Sequence, residues 1–333
     1  MSRSLSLAAF GFAAAALVSS AHAADAVRFG TDWFPQAEHG GYYQAVADGT
    51  YAKYGLDVTI VPGGPDANNE QLLFDGQLDF YMGSSTGALA ANATGKQTVT
   101  LAAIFQKDPQ VLIANRETGY SSIDQLAGAS KYLIGDDGLH TYFAWLQAKF
   151  PAFTSDKVAP YNFSTDPFIA DKTLIQQGYL TSEPYEIEAK TGTMPLVFLF
   201  ADAGYATYAN TIETMKPWYD ANKDVAKRFV EASIIGWYNY LYGDRAAADA
   251  AILKANPELT QDRLDTSVKA MKAFGLVNSG DAEMKGIGCI NPDRWNQFAT
   301  TLAEIGVIAK GIDSAAALDT SLVCQGLGKD LVK

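Results

Sequence analysis

Between residues 26 and 105 the chain keeps switching its hydrophobic period, and that switching limits its fold more than any other feature. Residues 26–33 alternate as a strand does. Residues 41–55 carry apolar side chains at helical spacing, with Gly55 placed to end the helix. Leu56, Val58 and Ile60 alternate again before a Pro-Gly turn, which predicts a strand over 56–64. A helix over 68–78, a strand over 79–83, a helix over 85–96 and a strand over 99–105 follow. Further on, 122–129 predicts a short helix capped by Ser121 or Ser122, and 131–138 a strand and turn with Asp137 as a helix cap. Residues 139–150 read as a helix and 195–202 as a buried strand. Residues 222–333 read as mainly helical, with 225–243 the clearest amphipathic run. Strands alternating with short helices require an α/β layer with a largely parallel sheet.

Composition narrows the class. Arg3, the apolar run 5–18 and the small residues Ala21 and Ala23 describe a secretory signal peptide cleaved after Ala23. That run is too short to span a bilayer, and no cysteine at the cleavage site suggests a lipid anchor. The expected mature chain loses one positive charge, so a formal net charge of −12 becomes −12 − 1 = −13. Such a balance repels nucleic acid and anionic membrane surfaces. The length suits two domains. In an oxidising compartment the two cysteines, Cys289 and Cys324, are expected to form a structural disulfide.

Ligands of open α/β sheets sit beyond the carboxyl ends of strands, so the loops there carry the functional reading. In residues 33–43, Trp33, Phe34, Tyr42 and Tyr43 surround Pro35, His39, Gly40 and Gly41. These rings either plug the domain's own core or sandwich a planar ligand, with His39 hydrogen-bonding it. The glycines allow a close backbone approach. In residues 82–88, Ser84 and Ser85 offer hydroxyls at a helix start, or merely cap it. In residues 178–185, Glu183 lies between Tyr179 and Tyr185 and can accept from a ligand amine or ring N–H; a solvated glutamate is the plainer reading. Asp202 and Tyr205 give a weaker fourth signal.

Catalytic signals are absent. With His22 in the signal peptide, only His39 and His140 remain, and no G-x-S-x-G, H-E-x-x-H or paired-cysteine cluster occurs. No metal, cofactor or catalytic residue is expected.

The ordered set TDWFPQAEHGGYYQAVADGTYAKYGLDVTIVPGG, GQLDFYMGSSTGALAA, VTLAAIFQKDPQVLIA, SSIDQLAGASKYLIG, QQGYLTSEPY and KRFVEASIIGWYNYL resembles periplasmic substrate-binding proteins of ABC transporters. The superfamily includes nitrate, alkanesulfonate, taurine and thiamine-precursor binders. W-F-P-x-x-x-H-G-G-Y-Y is most similar to the branch that binds the pyrimidine precursor of thiamine. This chain has Gln36 where that branch has Asn after the proline, and Ser182-Glu183-Pro184 in place of N-E-P. The cysteine-rich stretch of yeast-type enzymes that make the pyrimidine is missing.

The resemblance implies a type II periplasmic binding fold of two α/β domains with a ligand cleft between them. Residues 24–112 plus 210–333 would form domain one and 113–209 domain two. It implies a monomer that captures a small planar nitrogen heterocycle and delivers it to an inner-membrane ABC permease. Trp33, His39, Tyr42, Ser84, Ser85, Glu183 and Tyr185 would line the pocket. Riboflavin, nitrate or alkanesulfonates are alternative ligands, and an exported enzyme acting on a small heterocycle is the alternative class.

Overall fold

The computed structural model describes residues 23–332; the signal-peptide expectation, apart from Ala23, lies outside them. Two five-stranded sheets organise the chain. The first contains β1 (Asp25–Gly30), β2 (Leu56–Val61), β3 (Phe80–Ser84), β4 (Thr98–Phe105) and, far along the sequence, β10 (Ala209–Met215). Its order is β2-β1-β3-β10-β4. The second contains β5 (Gln110–Ala114), β6 (Tyr132–Ile134), β7 (Val158–Pro160), β8 (Ile175–Tyr179) and β9 (Leu196–Leu199), in the order β7-β6-β8-β5-β9. β1 runs parallel to β2 and β3, and β6 runs parallel to β7 and β8. One antiparallel strand interrupts each sheet: β10 between β3 and β4, and β5 between β8 and β9. The chain thus crosses between sheets twice, after Phe105 and after Leu199.

β10 carries no strand signal of the apolar kind. Asn210, Thr211, Glu213 and Thr214 are all buried, satisfied largely by side-chain hydrogen bonds, so a central strand reads as a polar loop. The helix expected over 41–55 is two pieces, Gly40–Ala47 and Thr50–Lys53, because Gly49 adopts a left-handed conformation between them. Asp137 is not a cap: the helix Asp136–His140 starts after Gly135, and both aspartates lie in its first turn.

Helix Gly40–Ala47 lies against the long helix Lys223–Tyr242. A methyl group at Gly41 would overlap the Trp237 ring, and one at Gly236 would overlap the Gly41 carbonyl. The glycine pair therefore serves close helix packing, not approach to a ligand.

β4 is fully buried although it ends the sheet order. C-terminal segments cover its free edge: the Ala103 N–H donates to the Gly288 carbonyl at 3.0 Å, and the Asp319 N–H donates to the Thr100 carbonyl at 3.0 Å. The Cys289–Cys324 disulfide, expected from compartment alone, joins these two segments. Covering an otherwise unpaired strand edge is what such segments contribute.

Candidate functional site

The carboxyl ends of β1, β3, β8 and β9 carry the loops singled out by sequence, and two of these loops touch. Thr181, after β8, donates its hydroxyl to the Glu38 carboxylate, after β1. The Ser267 hydroxyl donates to the Thr181 carbonyl at 2.9 Å, and the Asn210 amide donates to the Glu38 carbonyl at 2.6 Å. Elements of both sheets therefore meet around these loop ends.

The loop after β1 is pinned from below. The Asn69 amide donates to the Thr31 and Val61 carbonyls at 2.8 and 3.0 Å, and the Thr31 hydroxyl donates to the Trp33 carbonyl at 3.1 Å. Trp33 is half-buried, its ring 5.8 Å from Phe34 and 5.1 Å from Phe163, a residue of the second sheet's unit. His39 is fully buried, with Nε2 3.2 Å from Asp32 Oδ1 and Nδ1 unpartnered. It holds Asp32, whose side chain is 42% exposed and so is the member of the pair that solvent can reach.

Tyr42 does not sandwich anything. Its ring is fully buried against Phe29 and Trp237, and its hydroxyl donates to Asn210 Oδ1 at 2.7 Å. Ser85 is also withdrawn: its hydroxyl accepts from the Tyr208 N–H at 2.7 Å and lies 2.9 Å from the Thr207 hydroxyl. It ties the start of helix Ser85–Ala93 to the returning crossover. Ser84 caps that helix, accepting from the Gly87 N–H at 3.1 Å. In the fourth loop Asp202 pairs with Lys107, and Tyr205 is buried against Thr86.

Glu183 starts helix Glu183–Thr191. Its carboxylate accepts from the Tyr179 N–H at 2.7 Å and the Tyr161 hydroxyl at 3.1 Å, and burial raises its pKa. The sequence reading missed Tyr161. The Tyr161 and Phe163 rings lie 5.3 Å apart and tilted, so Trp33, Phe163, Tyr161 and Glu183 form a continuous path from the first sheet's loop to the second's. Tyr185 is half-buried on the same helix, and its hydroxyl makes no hydrogen bond among the described residues.

Around this path the electrostatics have one sign. Burial pushes Asp108 up to about 7, with Asp137 and Asp32 adding to it. Burial raises Asp137, and Asp32 raises it further. Burial raises Tyr179 and Tyr81 as well, and Asp32 acts on both, with Asp108 acting on Tyr179 and Asp137 on Tyr81. Since Asp32 belongs to the first sheet's loops and Asp137 to the second's, one acidic region bridges the two. Among the described residues no lysine or arginine pairs with Asp32, Asp108, Asp137, Glu183 or Glu213. Arg263 acts at longer range on Glu38 and Glu183. Asp32, Asp108 and Asp137 were not among the expected site residues, because isolated aspartates in loops carry no pattern. No group of three or more metal-ligating side chains occurs among the described residues. Two surface depressions, of about 460 Å³ beside Arg245 and about 320 Å³ beside Cys324, lie away from these loops.

Residues 36–248, more than half the chain, match the model of the family described as NMT1/THI5 like. The chain is 23% identical over 312 residues to the riboflavin-binding protein RibY of Chloroflexus aurantiacus, covering 90% of this chain and 86% of that one. Its fold is similar to that of the periplasmic aliphatic sulphonate binding protein SsuA from Escherichia coli, with a TM-score of 0.63 and 15% identity over 89% of this chain and 92% of that one. It is also similar to the desulfurization enzyme DSZB, at a TM-score of 0.57 and 13% identity over 90% and 97% of the two chains. The fold is therefore that of periplasmic binding proteins, and it also carries an enzyme. The chain belongs to the NMT1/THI5-like family.

Proposed function

We propose that this NMT1/THI5-like protein is the solute-binding component of an ABC importer. It captures a small planar nitrogen heterocycle, a thiamine pyrimidine precursor or a similar ring, in the periplasm. As a monomer it then delivers the ligand to an inner-membrane permease. The observation that carries the ligand class is the acidic region bridging the two sheets, in which Asp32, Asp108 and Asp137 act on one another and on Tyr81 and Tyr179 with no lysine or arginine paired to them among the described residues. An anion held about 4 Å from one such carboxylate is repelled by roughly 4 kcal/mol at an effective dielectric of about 20, close to a thousandfold in affinity. Nitrate and sulfonates are disfavoured on that ground, while amines and ring N–H groups are attracted. The similarity to RibY supports a heterocycle and keeps a flavin beside a pyrimidine as ligand.

Trp33 supplies the stacking face, and Asp32 and Glu183 accept from the ligand edge. The expected division at 112/113 would cut β5, so the two bodies that close on the ligand divide instead at the crossovers after Phe105 and after Leu199. Closure strips water from the site and so strengthens each polar contact. His39 and Ser85 act behind this surface, one orienting Asp32 and the other fixing the crossover.

A thermal-shift panel of aminopyrimidines, riboflavin, alkanesulfonates and nitrate tests the reading. A nitrogen heterocycle should raise the melting temperature, and Trp33→Ala should remove most of that shift. A shift with nitrate or sulfonates alone would move the protein to an anion-binding role.

A further inference from the structure

Phe163 is the feature the ligand reading leaves unexplained. It follows β7 in the second sheet's unit and is 53% exposed. Its φ of 60° is left-handed, a region that bulky residues seldom occupy. Neither property helps residues 158–170 fold by themselves: the ring stays half in water, and the backbone is held where glycine or asparagine is favoured. A single exposed apolar side chain is ordinary, but one presented from a left-handed backbone calls for a compensating contact. That contact comes from the other sheet, where the Trp33 ring lies 5.1 Å away at 48°. On its other side the Phe163 ring meets Tyr161 at 5.3 Å, and the Tyr161 hydroxyl bonds Glu183. Phe163 thus touches the first sheet's loop with one side and the proposed ligand-binding carboxylate's partner with the other.

We infer that Phe163 and Trp33 form an aromatic clasp across the cleft mouth, which holds the two units closed and slows the exit of a bound planar molecule. The clasp joins residues of both crossover-linked bodies, so it exists only in the closed form, and the left-handed backbone at 163 is retained because closure compensates it. Its closing function stands on the geometry alone; its retention of a ligand rests on the solute-binding reading above.

The test uses the full mature chain with nitroxide labels on Ala52→Cys and Ala189→Cys, exposed positions of the two units. The native cysteines are disulfide-bonded and leave no free thiol among the described residues. Pulsed electron-resonance distances are measured without ligand in wild type, Phe163→Ala, Trp33→Ala, the double variant and Phe163→Tyr. The closed-to-open ratio should fall about fivefold in either alanine variant, the effect of losing one aromatic pair. The double variant should fall no further, and the tyrosine variant should keep the closed distance, with melting temperatures near wild type throughout. A wild-type chain with no closed population, a Phe163→Ala distribution that matches wild type, or multiplying losses in the double variant would overturn the clasp. In a second arm riboflavin is the probe, and its dissociation from Phe163→Ala should quicken by the same factor as closure weakens. Failure of riboflavin to bind the wild type counts against the flavin ligand only, because the distances decide the clasp.

Discussion

Replacing Glu213 by glutamine should make the protein more stable at alkaline pH and change little at acid pH. Glu213 lies on β10, 1% exposed, with its carboxylate over Gly83, where a β-carbon would collide with it. Among the described residues the carboxylate accepts one hydrogen bond, from the Thr211 hydroxyl to Oε1 at 2.6 Å. Burial pushes its pKa from 4.5 up to about 8, and nearby Glu70 adds to the rise. The sign follows from which state ionises first. Below about pH 4.5 the group is neutral folded and unfolded alike, and contributes no penalty. As pH rises towards 8 the unfolded chain ionises freely while the folded one resists, so stability falls, and above 8 the loss levels off. A shift of this size corresponds to about 4 kcal/mol of stability lost between pH 5 and pH 9. Glutamine keeps the acceptor for Thr211 and cannot ionise. Urea unfolding at pH 5, 7 and 9 should therefore show a stability gain for Glu213→Gln that grows with pH, at an unchanged m-value. A difference between the two proteins that is the same at pH 5 and pH 9 would refute the burial argument.

Gly41→Ala should cost at least 1–3 kcal/mol in urea unfolding, since the new methyl overlaps the buried Trp237 ring and the helix pair must separate. Tyr42→Phe should cost roughly 1–3 kcal/mol by stranding the buried Asn210 acceptor, while ligand-induced melting shifts persist; their loss would return Tyr42 to the binding surface. Reducing Cys289–Cys324, 35 residues apart, should lower stability by about 4 kcal/mol on the chain-entropy account. It should also speed amide exchange at Ala103 and Asp319, the donors at the covered β4 edge.

The alternation of residues 26–105 was legible because short apolar strands alternate there with helices closed by glycines, although β4 is buried on both faces. β10 was not, because it buries Asn210, Thr211, Glu213 and Thr214 and meets their needs with partners distant in sequence. The loop after β1 was read as a ring-holding surface, and the structure divides it. Trp33 stays half-buried between the two units, whereas Tyr42, in the first turn of helix Gly40–Ala47, turns into the core. The two serines after β3 could be read as ligands or as caps. Ser84 is a cap, and Ser85 fastens a crossover whose partner, Thr207, could not be foreseen from local sequence. The acidic character of the cleft escaped notice because Asp32, Asp108 and Asp137 come together only when the two sheets face each other.

The central claim is that the acidic, aromatic cleft holds a neutral or cationic nitrogen heterocycle. The most direct measurement is mass spectrometry of the small molecule released on denaturing protein purified from its native cells. The account predicts a planar, nitrogen-containing ring such as an aminopyrimidine or a flavin, present in wild type and depleted in Trp33→Ala. A sulfonate, nitrate or other anion released in stoichiometric amount would contradict it.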